Sequence, residues 1–239
     1  MKGIIDIHCH VLHGVDDGVQ TIEEAEQLFY QMAAEGISGV ILTPHYRRGM
    51  FETPQSVMAE RYRQLYPVAK SAGVIALPGC EYHVNQQMLE NISQKRRWTL
   101  AGSRYVLTEY SGADDYDYIK GNTYELLSAG YIPVLAHIER IRCLNSDLAA
   151  IEELSDMGAR IQVNADAVLG NEGATGKRIC RKLLKEDLID FIASDCHGLK
   201  KRPSHLAECA DYVERKYGDQ LARKIFLDNP REILRSINR

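Results

Sequence analysis

Gly3-Ile4-Ile5-Asp6-Ile7-His8-Cys9-His10 begins as a short apolar, β-branched run and ends on two histidines. Such a run signals a strand. On an extended chain, residues two apart point the same way, so both imidazoles can reach one ion while Cys9 faces the opposite side. Similar runs recur at Gly39 to Thr43, Val74 to Gly79, Tyr105 to Thr108, Ile132 to Ala136, Arg160 to Val163 and Ile189 to Ala193, giving seven expected strands.

Helical stretches separate most of these runs. Thr21-Ile22-Glu23-Glu24 reads as a capping box opening a helix that Gly36 closes, and Thr53-Pro54 as an N-cap followed by a first-turn proline. Gly73, Gly130 and Gly158 fall where helix C-termini are expected, each just before a strand, and Asn229-Pro230 starts a last short helix. Alternating short strands and longer helices predict an α/β fold with a parallel sheet. Seven units suit a distorted, TIM-like barrel better than a ring of eight, although a doubly wound open sheet shares the local pattern. With no linker or internal repeat, residues 1–239 read as one domain.

In parallel β/α architectures the functional groups gather at the C-terminal ends of the strands. Those ends carry His8 and His10, then His45, Glu81, Glu109, His137, Asn164, and finally Asp195 with His197. A lone strand-end histidine means little, but this many metal-competent side chains on one face point to a metal centre. Imidazole and carboxylate without thiolate suit Mn, Fe or Zn in a catalytic rather than a structural site. So many ligands exceed the needs of one ion. Glu81 can bridge two, and Asp16-Asp17-Gly18 reads either as a further oxygen donor or as a solvated turn.

The 239 residues are 45% hydrophobic and 26% charged, ample for a sizeable core, with net charge −4. No dense basic run offers a nucleic-acid track; Lys95-Arg96-Arg97 and Lys200-Lys201-Arg202 are too short. The six cysteines form no C-x-x-C pair, no apolar run reaches the roughly 18 residues of a membrane span, and the first residues do not read as a signal peptide. A reducing cytoplasm is the expected location, with no membrane insertion.

Taken together, Asp6-Ile7-His8-Cys9-His10, Val15-Asp16-Asp17-Gly18, Thr43-Pro44-His45, Glu81, Glu109, His137-Ile138-Glu139-Arg140 and Ser194-Asp195-Cys196-His197 resemble the PHP (polymerase and histidinol phosphatase) superfamily. Within it the chain looks like the bacterial protein-tyrosine phosphatases of capsule and exopolysaccharide synthesis. Gly49 to Pro54, Ala136 to Arg140, Gln162-Val163-Asn164, Ile192 to Asp195 and Asp228 to Arg231 carry that closer similarity. The resemblance implies a distorted (β/α)7 barrel, the PHP fold, holding three divalent ions, commonly manganese. It assigns one ion to His8, His10, Glu81 and Asp195, a second to Glu81, Glu109 and His137, and a third to Asp17, His45 and His197. Arg140 and Arg202 match the arginines that hold the substrate phosphate, and Tyr46 stands where a basic residue is frequent. Water activated at the metals attacks phosphorus in line, and a phenolate with a pKa of about 10 departs. The implied substrate is a phosphotyrosine protein, the tyrosine-rich tail of a polysaccharide-synthesis tyrosine kinase.

Three other readings compete. A metal-dependent nuclease or amidohydrolase also opens its barrel with H-x-H, but lacks the final D-x-H pair. A histidinol-phosphate phosphatase shares the whole motif set, and an inactive metal-stabilised binding module would have lost ligands that are all present here. A separate trap lies in Cys196 to Arg202, which fits the C-x5-R loop of cysteine-dependent phosphatases. Asp195 beside the thiol disfavours a thiolate, and Leu199 and Pro203 depart from that loop's small and hydroxyl residues.

Overall fold

In the computed structural model, which describes residues 1–238, each of the seven expected runs contains a strand. In chain order the first elements are β1 (Ile4–Cys9), α1 (Ile22–Ala34), β2 (Ile37–Leu42), β3 (His45–Tyr46), α2 (Gln55–Ser71), β4 (Ile75–Pro78), β5 (Glu81–His83) and α3 (Met88–Ser93). Then follow β6 (Tyr105–Glu109), α4 (Tyr116–Ser128), β7 (Ile132–Leu135), α5 (Leu148–Met157), β8 (Arg160–Asn164), α6 (Ala165–Leu169), α7 (Ala174–Lys185) and β9 (Phe191–Ala193). Helices α8 (Leu206–Tyr217), α9 (Asp219–Arg223) and α10 (Asn229–Arg235) complete the chain. No helix among the described residues is long and apolar enough to cross a membrane.

The two strands that sequence reading does not anticipate, β3 and β5, come from breaks in β2 and β4. Pro44 has no N–H for a ladder and interrupts the first. At Gly79 a Cβ would lie 2.7 Å from Ile41 Cγ2, so only glycine lets the two strands approach there. The sheet therefore splits into β1-β2-β4 and β3-β5-β6-β7-β8-β9, every pairing parallel.

The sheet curls until its first and last strands meet. Cys9 bridges Cys196 in parallel, Asp195 N donates to His8 O at 2.9 Å, and His10 N donates to Cys196 O at 2.8 Å. Below these contacts, the buried Asp6 carboxylate accepts from Ser194 N at 3.1 Å and from Ser194 Oγ at 2.5 Å.

Two apolar clusters result. The larger packs helices such as α1, α7 and α8 on the outside of the sheet. The smaller lies within the curl and is built from Ile5, Ile7, Ile41, Leu107, Val134 and Phe191 with their neighbours, Ile233 of α10 joining it.

Helix ends follow the local signals with one exception. Thr21 accepts from Glu24 N, and Gly36, Gly73, Gly130 and Gly158 all take positive φ. Thr53, however, does not cap α2. Its hydroxyl donates to Val15 O at 2.7 Å across the loop, and Pro54 occupies the N-cap position. At the far end α10 does begin at Asn229, but it continues a helical run through α9 and a wide turn at Lys224–Asp228.

Candidate metal centre

The polar layer sits above the smaller apolar cluster, and a break in β1 register brings the first two histidines into it. Asp6 pairs with Val40 but Cys9 with Leu42, so three steps along β1 oppose two along β2. Ile5 and Ile7 belong to the apolar cluster inside the curl, yet His8 and His10 both face the polar layer. An extra residue of this kind re-aims a strand's side chains. The Nε2 atoms of His8 and His10 end 3.2 Å apart, while Cys9 turns its Sγ to Ile41 O.

Glu81 is the hub. It is wholly buried and pairs in register with His45 across β3 and β5. Its Oε1 lies 2.8 Å from His137 Nε2. Its Oε2 lies 3.3 Å from Nε2 of both His8 and His10 and 2.8 Å from His45 Nδ1, yet makes no hydrogen bond. Burial pushes the Glu81 carboxyl up, but the surrounding imidazoles, His8 and His45 foremost, hold it well below the usual range.

Asp195, with φ of 50°, brings Oδ1 to 3.5 Å from His8 Nε2 and 3.4 Å from His10 Nε2. Burial raises it too, and His8 and His10 again overcome that. His137 Nε2 stands 4.0 Å from Glu109 Oε1, and Asp17 Oδ1 is 3.5 Å from His45 Nε2 and 3.6 Å from His197 Nε2. All nine residues expected as ligands thus converge on one layer.

Three groups have ligand atoms within 4.8 Å of one another: His8, His10 and Glu81; His10, His45 and His197; and His45, Glu81 and Glu109. The first matches three of the four residues expected at one ion. The other two mix residues that the resemblance divides between ions, because His10, His45 and Glu81 each stand at a boundary.

Which ring nitrogen faces the centre is set by groups behind the layer. His8 Nδ1 lies 3.2 Å from Gln162 Oε1, His10 Nδ1 2.8 Å from Asp16 Oδ2, and His197 Nδ1 2.9 Å from Asp195 O. A proton held at Nδ1 leaves Nε2 unprotonated and able to ligate.

Asp16 and Asp17 divide the alternatives of their turn. Asp16 is enclosed, also accepting from His45 N at 2.9 Å and Gly18 N at 3.0 Å, whereas Asp17 is 40% exposed and faces the centre. Gly18 must be glycine, since a Cβ there would sit 2.3 Å from His10 O.

Sequence reading missed several supporting residues. Gln162 Oε1 also accepts from His137 N at 2.9 Å, which helps hold His137 at φ 34°. Gln162 Nε2 donates to Asn164 Oδ1 at 2.9 Å, and Asn164 Nδ2 donates to Asp195 Oδ2 at 2.8 Å. The available signal was a glutamine set between Ile161 and Val163, at the strand parity of Asn164. Phe51 stacks on His45 at 5.2 Å between ring centroids. Glu139, raised by burial to about 7, accepts from Asn164 N.

Tyr46 packs on Tyr82 beneath the Arg97 guanidinium, apart from the layer. The arginines expected to hold phosphate lie on its rim. Arg140 donates to Asp195 Oδ2 at 3.0 Å and to Glu172 Oε1 at 2.6 Å, and Arg202 reaches Asp195 Oδ2 and His197 Nε2.

No thiol joins them. All six cysteines are free, and burial pushes the Cys196 thiol up to about 12 while its Sγ points to Gly198 O. A thiol so hard to ionise is a poor nucleophile at neutral pH.

Residues 4–235 match the family model described as capsular polysaccharide synthesis, CpsB/CapC. The chain is 35% identical to the tyrosine-protein phosphatase CpsB of Streptococcus pneumoniae over 97% of its own length and 98% of that protein's. It is 29% identical to the tyrosine-protein phosphatase YwqE of Bacillus subtilis, covering 91% of this chain and 87% of that one. Among solved structures, the metal-dependent tyrosine phosphatases YwqE and CpsB of those two organisms give a match at TM-score 0.90 and 28% identity, covering 98% and 95% of the two chains. A phosphotriesterase homology protein of Escherichia coli, at TM-score 0.62 and 13% identity, shares the fold alone.

Proposed function

We propose that this chain, which belongs to the CpsB/CapC family of capsular polysaccharide synthesis, is a metal-dependent protein-tyrosine phosphatase working as one distorted (β/α)7 domain over residues 1–239. The observation that carries this reading is Glu81 Oε2, a buried carboxylate oxygen ringed by three imidazole nitrogens and hydrogen-bonded to none. Such an oxygen is costly to bury unless a cation shares it.

The donor set suits three divalent ions, manganese foremost, with Fe or Zn as substitutes. His8, His10, Glu81 and Asp195 would hold one, Glu81, Glu109 and His137 a second, and Asp17, His45 and His197 the third. Bound divalent ions supply Lewis-acid charge at the phosphoryl oxygens and lower the pKa of water toward neutrality.

The chain's own residues do the rest. Gln162, Asp16 and the Asp195 carbonyl fix the imidazoles, and Asn164 fixes the Asp195 carboxylate. Arg140 and Arg202, each 37% exposed and paired with Asp195 at the rim, would donate to the phosphoryl oxygens of a bound substrate. Phosphotyrosine then leaves as a phenolate of pKa about 10, an easier departure than an alkoxide. The substrate is the phosphorylated tail of a polysaccharide-synthesis tyrosine kinase, met on the cytoplasmic side, where free cysteines persist.

Purified protein should hydrolyse p-nitrophenyl phosphate and phosphotyrosine peptides in preference to histidinol phosphate, lose turnover to chelators and regain it with manganese. Full turnover in a demonstrably metal-free preparation refutes the metal mechanism. Preference for histidinol phosphate refutes the substrate class.

A further inference from the structure

Helix α7 carries an unusual charge pattern for a chain of net charge −4. Its buried face is Ile179, Cys180, Leu183 and Leu184, and the opposite face presents Arg178, Arg181, Lys182 and Lys185, all exposed. Spaced three and four residues apart, these cations are neighbours on the helix surface, an arrangement that destabilises a helix left to itself. None of the four makes an ion pair among the described residues. Of the carboxylates at either end, Glu172 is engaged by Arg140 and Asp187 by Lys224, while the exposed Glu186 at the C-cap forms no ion pair among the described residues and leaves the stripe a net positive charge. The same cations, with Lys177, line a shallow surface depression.

The stripe runs from the rim of the site down the outer wall. Glu172, two residues before α7, holds Arg140 at 2.6 Å, and Gly176 packs against Ala167 and Glu139. The 12 residues of α7 span roughly 18 Å, the reach of five or six residues of extended peptide.

We infer that this face is a docking stripe for the substrate polypeptide. It holds acidic or phosphorylated residues within about six positions of the phosphotyrosine whose phosphate enters the site, and the inference rests on the phosphatase reading above. Charge complementarity selects the occupant: four cations without ion-pair partners among the described residues match a run of anionic side chains. A membrane surface fits less well, because α7 exposes no large apolar side chain to insert among lipids.

The test compares three substrates at low and high salt: p-nitrophenyl phosphate, a phosphotyrosine peptide with neutral flanks, and the same peptide with four acidic residues at positions three to six. The expected result is a preference of tenfold or more in kcat/KM for the acidic peptide at about 50 mM salt, largely lost at 0.5 M. The double variant R181E/K185E should bring the ratio of acidic to neutral peptide to within twofold of one. R63E/K70E, an equal charge change on α2, should leave that ratio at the wild-type value.

Anisotropy of a labelled acidic peptide reads the stripe without turnover, so loss of phosphatase activity alone would sink the earlier reading and leave this one decided by binding. A ratio unchanged in R181E/K185E, or no preference in the wild type, overturns the docking stripe. So does stripe-dependent binding to phosphatidylglycerol vesicles without peptide preference.

Discussion

Replacing Gln162 by leucine isolates the support behind the metal layer from the layer itself. Gln162 is fully buried behind the imidazoles, and leucine is close to it in size. The substitution strips partners from three buried groups: His8 Nδ1, His137 N and Asn164 Oδ1. At about 1–3 kcal/mol for each orphaned group, with partial relaxation, the loss is roughly 3–6 kcal/mol. In a chain of this size that lowers Tm by roughly 6–24 °C.

The larger diagnostic is metal affinity. With Gln162 gone, His8 loses the acceptor that keeps its proton on Nδ1, and Asn164 loses its anchor while still facing Asp195. Removing supports of this kind costs about 10- to 100-fold in metal affinity. Chelator competition read by bound manganese, beside melts with and without metal, measures both effects. A Q162L protein with wild-type manganese affinity refutes the assignment of Gln162 as the residue that orients His8, whatever happens to Tm.

Further outcomes can be checked on the same preparations. Arg140→Ala should keep its metal and lower kcat by roughly 10²- to 10³-fold, the usual effect of losing one transition-state donor; an unchanged kcat removes Arg140 from the chemistry. His137→Ala should lose metal occupancy as well as turnover, and full occupancy by elemental analysis contradicts its role as a ligand. Cys196→Ser should retain most activity while Asp195→Ala loses it; inactivation by Cys196→Ser with metal intact would replace the metal mechanism with a cysteinyl-phosphate one. Because burial lifts Cys196 to about 12, iodoacetamide at pH 8 should leave it unlabelled in the native protein, and rapid labelling seen by peptide mapping would show a thiolate that burial forbids.

The alternation of strands and helices and the strand-end side chains that meet in one polar layer were legible in the sequence because both signals are local, whereas Asp17 came only with the family resemblance. An apolar run of strand length with a histidine or carboxylate at its end is a property of fewer than ten neighbouring residues, and its repetition down the chain indicates a parallel sheet with one functional face. Tertiary contacts decided the rest. The extra residue in β1 that turns both His8 and His10 inward exists only against β2, and the break after β4 depends on the close approach of Gly79 to Ile41. Asp16 rather than Asp17 became the support because Asp16 meets His10 and the His45 amide, 29 residues away. Gln162 reaches His8 across 154 residues, a relation that no spacing along the chain encodes. Local pattern specifies which side chains can ligate; which nitrogen each histidine presents, and which carboxylate steadies it, depends on partners that only the closed sheet brings within hydrogen-bond distance.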